Sequence, residues 1–395
     1  LLWDPVFELS LTPNLGHCMS ALGIARELSA ALQIPLTRIQ ATVKEGHLDK
    51  KVHVRDFILC PRYTCRLIEG VKVGPSPYWL KKQLEAAGQK SINNVVDIAN
   101  YIMIKVGQPL HAFDYDLLEG TTIEVGPAKE AAKFLGLDGV ERDVPAGSLM
   151  ISDEKKAVAI AGIMGGANSA VSESTTRVLL EAACFDPISI RNTAKKIGLR
   201  TESSQRFEKG IDPDGVEAAL NEATQLIEGH AKGSVDIKNG PFSPKLISYR
   251  PERINRILGT HLSATEIDEI FGRLGFKTKN NIAEIPLFRT DIAEEIDLVE
   301  EVARLYGYNN IEKTIPACST SQIPSDPAFV FEHEMRRRLA AQGLFEFLTC
   351  DLISPKLAEI SREITPPSMG FLQTTYSKSE EYSVLRTSLL PGLLH

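Results

Sequence analysis

Five stretches of the 395-residue sequence carry side chains whose types and spacing could do chemistry. The first is NNVVDIANYIMIKVGQPLHAFDYD, residues 93–116. Val95, Val96, Ile98, Ile102, Met103, Ile104 and Val106 take up most of the circumference of a helix, so the spacing predicts a buried helix over 93–106. On it Asn93, Asp97 and Asn100 fall at i, i+4 and i+7, a single polar stripe. A buried polar group without a partner costs about 1–3 kcal/mol. The stripe therefore either pins neighbouring loops, which suits Asn93 and Asp97, or walls a pocket, which suits Asn100 at the helix exit. His111 is expected on a loop fixed by Pro109. It is a structural histidine, or half of a metal site with Asp114 that lacks a neighbouring His or Cys to complete it.

The other four stretches leave similar alternatives open. AGIMGG (161–166) packs three glycines into six residues, which lets backbone N–H groups approach a ligand or simply makes a tight turn. In VLLEAACF (178–185) Glu181 is the only charge in an apolar run, so it must meet a donor from the protein or from a ligand. GLRTESSQRFEKG (198–210) offers the hydroxyls of Thr201, Ser203 and Ser204. Its Arg200, Arg206 and Lys209, with Lys195 and Lys196, form a basic patch, suited to RNA phosphates or to solvent. In RTDIAEEIDLVEEVARLYGY (289–308) six acids fall within 291–301 with no base among them. Asp297, Glu300 and Glu301 share a helix face and Asp291 stands just before it. Either the helix dipole accounts for these acids or they converge on a hard cation such as Mg²⁺.

The elements that must hold these residues mix strands and helices without strict alternation, an α+β pattern. Asn14, Gly16 and Ser20 are start signals for a helix over Met19–Leu32, and residues 49–58 look like a charged linker. Ser76-Pro77 starts a helix ended by Gly88. Short strands fill 121–182, with turns at Asp138-Gly139 and Gly165-Gly166. Helices are expected near 187–197 and 213–228, and a linker over 229–247. Ser263 and Glu266 form a capping box opening a compact helix–strand–helix module over 248–316, whose second helix is 293–306. A Ser/Pro-rich linker at 317–325 precedes a further helical start.

The net charge of −7 excludes a chain that binds nucleic acid through bulk basicity. Six scattered cysteines, only Cys60 and Cys65 of them close together, fit free thiols in a reducing cytoplasm. No run of 18 apolar residues suggests a membrane span, and no charged-then-apolar leader opens the chain. The start at Leu1-Leu2-Trp3 and the stop within SVLRTSLLPGLLH read as cuts, so a piece of a larger protein is expected.

Taken in order, LTPN, GVKVGPSPYWL, INNVVDIANY, GQPLHAFDYD, AIAGIMGG, VLLEAACFDP, GLRTESSQRFEKGIDP, RTDIAEEIDLVEEVARLYGYNNI and LRTSLLPGLL resemble the β subunit of bacterial-type phenylalanyl-tRNA synthetase over essentially the whole chain. The resemblance implies four regions. Residues 1–48 would be a remnant of the small N-terminal domain without its OB-fold. Residues 49–240 would be a mixed-sheet editing domain of the B3/B4 kind. Residues 248–316 would be a winged-helix-like module, and 322–395 the truncated start of a class II synthetase-like domain without an aminoacylation site. It also implies that the chain binds tRNA-Phe and hydrolyses mischarged Tyr-tRNA-Phe. It would work in the cytoplasm in an (αβ)₂ assembly whose α subunit uses ATP to aminoacylate.

The resemblance gives Glu181 the role of reading the tyrosine hydroxyl, and His111 and Asn100 the ester side. Gly165 would lie against the substrate, Thr201 and Ser203 would line the pocket, and Asp291, Asp297, Glu300 and Glu301 would hold Mg²⁺ shared with the α subunit. Three positions depart from the family pattern. Ala99 stands where Thr is frequent, Ser203 where Ala is frequent, and Leu15-Gly16-His17 where Arg-Pro-Asp is usual. The competing readings are a scaffold without editing activity and a winged-helix regulator built on 248–316. The second is opposed by that module's acidic helix.

Overall fold

The computed structural model describes residues 6–37, 41–43, 46, 48–315, 324–364, 370–377 and 379–394. Leu1–Trp3, Cys318 and all but the end of the expected 317–325 linker lie outside them. The chain divides into two compact units, Leu1–Lys313 and Thr314–His395.

The first unit opens with α1 (Ala21–Leu32), whose N-cap Ser20 accepts from the Gly23 N–H. The expected linker at 49–58 instead contains β1 (Lys51–Val54). Next come β2 (Arg62–Glu69), α2 (Tyr78–Ala86) and α3 (Asn94–Val106). Pro77 rather than Ser76 caps α2, because the Ser76 hydroxyl donates to Asp97 instead. α3 is capped by Asn93, which accepts from the N–H groups of Val95 and Val96, and is ended by Gly107 at φ 85°. Strands β3 (Leu110–Asp114), β4 (Thr122–Pro127), β5 (Ala132–Leu135), β6 (Glu141–Val144) and β7 (Leu149–Ser152) follow. After them run β8 (Ala157–Ile160), β9 (Met164–Gly165) and β10 (Arg177–Cys184). The helices α4 (Pro187–Ile197), α5 (Glu202–Phe207) and α6 (Gly215–Leu226) then lead into β11 (His230–Lys238). That strand fills much of the expected 229–247 linker. Its polar composition hid it because it pairs on one side only, as an edge strand.

Two mixed-composition sheets organise this region. One runs β11–β2–β10–β3, antiparallel throughout. The other runs β1–β4–β7–β8–β9, parallel only between β1 and β4. In the four-stranded sheet, alternation sends Arg62 and Arg66 of β2 toward α6. Arg66 donates to Asn221, and Arg62 to the Pro213 carbonyl, Glu217 and Asp236. The intervening residues Tyr63, Cys65 and Leu67 face the other way, beside Leu179, Glu181 and Ala183 of β10 and His111 and Phe113 of β3. Phe113, Ile123, Ile151, Ile160, Leu179 and Phe185 belong to one continuous core, each such side chain contributing about 1.5–3 kcal/mol by burial.

A second core lies beyond β12 (Lys245–Ser248). It is built from α7 (Pro251–Leu258), α8 (Ala264–Arg273), β13 (Lys277–Lys279), β14 (Ile282–Ile285) and α9 (Glu295–Tyr306). The Ser263–Glu266 capping box forms as expected. β12 and α7 add to the helix–strand–helix pattern expected there, and β12–β14–β13 make a sheet. Ala30 of α1 is part of this second core. The second unit contains the exposed α10 (Pro327–Ala341), the short pair β15 (Leu352–Ile353) and β16 (Val384–Leu385), α11 (Pro355–Ala358) and α12 (Leu390–Leu394). Among the described residues, no helix is long and apolar enough to cross a membrane, and the five cysteines are all free.

Candidate functional site

His111 does not lie on a loop. Pro109 ends at the edge of β3, and the register places His111 directly opposite Glu181 of β10. Directly opposed residues have Cβ atoms about 5 Å apart, so the two groups leave the sheet side by side and their heads go different ways. The Glu181 carboxyl is beside the hydroxyl of Tyr63 on β2. The His111 ring lies under Gly165 of β9. A Cβ at Gly165 would fall 2.3 Å from His111 Cε1 and 2.6 Å from its Nε2, so only glycine allows this approach. The four-stranded sheet thus supplies the polar heads, and the last strand of the five-stranded sheet closes over one of them.

The polar atoms here are not satisfied. Glu181 Oε2, the Tyr63 hydroxyl and His111 Nε2 are all buried without a hydrogen-bond partner of normal geometry. Such orphans are few in folded proteins, and each calls for a ligand or water. Burial pushes the Glu181 carboxyl up to about 8, the nearby Tyr63 hydroxyl moderating the rise. Burial also pushes the His111 imidazole down to about 4. At pH 7 both are neutral: a carboxylic acid able to donate and accept, and an imidazole too weak a base to take a proton from water. Tyr63 is not among the residues the sequence singles out. The register of β2 on β10 is what places the Tyr63 hydroxyl on the Glu181 face.

The remaining expected residues divide. Thr201 caps α5, accepting from the Ser204 N–H at 3.1 Å and donating to the Ile163 carbonyl at 3.0 Å. Ser203 donates to the Gly162 carbonyl at 3.0 Å. These hydroxyls brace the AGIMGG segment that carries Gly165, and both are spent on backbone. Asp97 accepts from the Ser76 and Ser91 hydroxyls and the Ile92 N–H, so it pins loops as expected. Asn100 is half-buried on α3, and no hydrogen bond joins it to His111 or Glu181. The expected basic patch is largely consumed. Arg200 pairs with Glu208, Arg206 with Glu202 and the Met19 carbonyl, and Lys209 donates to the Pro13 carbonyl.

The four acids expected to hold Mg²⁺ are not gathered within this chain. Asp291 and Glu301 are both bonded by the buried Arg289, and Glu301 also by Arg304. Asp297 accepts from the Ala293 and Glu294 N–H groups as a helix cap, while Glu300 accepts from Asn14. Arg289 lies between Asp291 and Glu301 while Asp297 and Glu300 take separate partners, so among the described residues these four carboxylates do not come together as a ligand set. Among the described residues the one cluster with ligand-like spacing is His17, Cys18 and Glu27. Its facing atoms already pair with one another, His17 Nε2 lying 2.9 Å from Glu27 and 3.4 Å from the Cys18 sulfur with Arg304 on the other Glu27 oxygen, while His17 Nδ1 is buried without a partner. The departure at Leu15-Gly16-His17 therefore gives this segment a bonded histidine.

Three family models match in succession. They are the B3/4 domain over residues 59–232, the tRNA synthetase B5 domain over 247–308, and the phenylalanyl tRNA synthetase beta chain CLM domain over 311–395. A chain with these domains in this order is of the tRNA-synthetase class. The phenylalanine–tRNA ligase beta subunit of Protochlamydia amoebophila is 47% identical over 99% of this chain and 51% of its own length. Those of Geobacter metallireducens and Halalkalibacterium halodurans are 43% and 41% identical over 99% of this chain, and 51% and 50% of theirs. This chain belongs to the bacterial-type phenylalanine–tRNA ligase β-subunit family, and it spans about half the length of the curated relatives it matches. A solved N-terminal fragment of the phenylalanyl-tRNA synthetase β-subunit from Pyrococcus horikoshii is 17% identical, with a TM-score of 0.38, over 76% of this chain and 86% of that one, too distant to inform the fold.

Proposed function

We propose that this chain binds tRNA-Phe and hydrolyses Tyr-tRNA-Phe. On this reading an α partner in an (αβ)₂ assembly carries out ATP-dependent aminoacylation in the cytoplasm. Residues 49–240 act as the editing domain, 248–316 as a winged-helix-like module, and 322–395 as the start of a class II synthetase-like domain. The observation that supports editing is the group of three orphaned polar atoms on one sheet face, Glu181 Oε2, the Tyr63 hydroxyl and His111 Nε2. A synthetic pocket shaped for Phe rejects Tyr only weakly, since Tyr merely adds a hydroxyl. A second site can require that hydroxyl if it holds buried polar groups that Phe would leave unpaired. Glu181 and Tyr63 meet this requirement.

The neutral Glu181 carboxyl accepts a hydrogen bond from the phenol hydroxyl through its carbonyl oxygen and keeps its own proton on the other oxygen. His111, neutral and close under the Gly165 backbone, orients the ester or a water. Hydrolysis then proceeds by attack of a positioned water without a covalent intermediate. Thr201 and Ser203 act through the loop they brace, and Asn100 extends the wall on the α3 side.

Deacylation of Tyr-tRNA-Phe and Phe-tRNA-Phe by the full chain tests the reading. Glu181→Ala should lower the Tyr-over-Phe preference by about 10²-fold, and Tyr63→Phe, which keeps the ring, by about tenfold. Equal preference in the unmodified chain, or an unchanged preference in Glu181→Ala, removes this assignment.

A further inference from the structure

The basic surface expected at 195–209 is mostly spent, but another is free. Between Gly70 and Ile92 stand four lysines (Lys72, Lys81, Lys82 and Lys90) against Glu85 alone, a net +3 on a chain of net −7. All four are exposed. Among the described residues Lys72, Lys82 and Lys90 have no carboxylate partner, and Lys81 has only Glu85 at 3.8 Å. α2 rises through this segment with its aromatic residues outward: Tyr78 is 76% exposed and Trp79 42% exposed. The Trp79 ring is held edge-on by Tyr101 of α3, at 5.6 Å between centroids and 84° between planes. Tyr78, Trp79, Lys82, Gln83 and Ala86 line a hollow of about 350 Å³. The single acid of α3, Asp97, is buried and satisfied, and Glu222 of α6 is bonded to Lys105.

We infer that this face of α2 is a landing platform for single-stranded RNA, with bases stacking on Tyr78 and Trp79 and phosphates met by Lys72, Lys81, Lys82 and Lys90. The chemistry argues for RNA over a protein partner. Exposed aromatic rings interleaved with unpaired lysines supply both things a single strand presents, π-faces and a regular negative charge. The apolar content is two rings, too little for the desolvated core of a protein interface. Duplex is disfavoured, since its stacked bases cannot reach the rings. The platform packs against α3, so a strand end resting here would approach the helix that precedes His111. The inference rests on the editing reading for the identity of the strand as a tRNA end, but not for the binding itself.

A fluorescein-labelled single-stranded RNA 12-mer carrying no aminoacyl ester is titrated with the full chain and followed by anisotropy. Tyr78→Ala should weaken binding about tenfold. Lys81→Gln with Lys82→Gln should lower the slope of log affinity on log salt by about 1.4. Lys195→Gln with Lys196→Gln should change neither. Circular dichroism melts should match the unmodified chain, because the substituted side chains are exposed. Unchanged affinity in the α2 variants, loss of binding in the 195/196 variant instead, equal binding of a duplex, or a protein occupant protecting this face while RNA does not, would each overturn the platform. Binding to the 12-mer by an unmodified chain that deacylates Tyr-tRNA-Phe and Phe-tRNA-Phe equally would leave the platform standing after the editing reading had failed.

Discussion

Glu181 and His111 are neighbours whose titrations oppose each other. The Glu181 carboxyl moves from an ordinary 4.5 up to about 8, so the folded state holds its proton more tightly than the unfolded chain does. Its contribution to stability is complete below pH 4.5 and is lost as pH rises toward 8. His111 moves from 6.5 down to about 4, so its contribution is complete above pH 6.5 and is lost as pH falls toward 4. Between 4.5 and 6.5 the two slopes cancel, and above 6.5 only Glu181 remains. Stability should therefore fall by about 2 kcal/mol between pH 6.5 and 8, at about 1.4 kcal/mol per pH unit. In Glu181→Gln that fall should vanish. Urea melts at pH 6.5 and 8 measure it, and an equal loss in both proteins would show that the carboxyl is not held neutral. The lone charge in VLLEAACF is legible from the sequence because nothing else in that run is polar. Its pairing with His111 is not, because strand register depends on contacts 70 residues away and a slip of one residue would turn either side chain to the other face. Tyr63 escapes notice for the same reason: only the register shows that its hydroxyl shares a face with Glu181.

At the scale of elements, local signals read well and long-range ones do not. The Ser263–Glu266 capping box acts within one turn of the helix it bounds and is found where the sequence puts it, whereas Asn93, expected as a member of the polar stripe, is the N-cap of α3. β1 and β11 stand where linkers are expected, because their pairing partners are distant in sequence, β1 with β4 and β11 with β2. α5 joins the two scales. Its cap is local, but the Thr201 hydroxyl that makes it also donates to Ile163, in the segment that lays Gly165 on His111. Thr201→Val keeps the shape of the side chain while removing both bonds and orphaning a carbonyl. It should cost about 2 kcal/mol. Deacylation of Tyr-tRNA-Phe should fall while the Tyr-over-Phe preference stays, because the carboxyl that reads the phenol is untouched. A preference that collapses along with the rate would instead place Thr201 against the substrate.

At the scale of the whole first unit, two hydrophobic cores must be held to one another, and the acids of 291–301 do this together with α1. Arg289 bonds Asp291 and Glu301; Arg304 bonds Glu301 and Glu27; Glu27 bonds His17. The network keeps Glu301 and Glu27 ionised against burial that would raise both, Glu27 falling to about 2. In sequence the acids stand without a base among them, which leaves the helix dipole and a hard cation as alternative partners. The bases come from Arg289, just before the run, and Arg304, one turn beyond Glu301. Arg289→Met removes the guanidinium and keeps the apolar stem, leaving two carboxylates with less than half their partners. It should cost about 3 kcal/mol, and adding Glu301→Gln in the same chain should recover at least 1 kcal/mol of that. Calorimetry of the single and double variants measures the coupling. Millimolar Mg²⁺ should leave the melting temperature of the unmodified chain where it is, since a cation bound only by the folded state would raise it. A Mg²⁺-dependent rise that Glu301→Gln abolishes would restore a metal to this helix and take the network's role from Arg289.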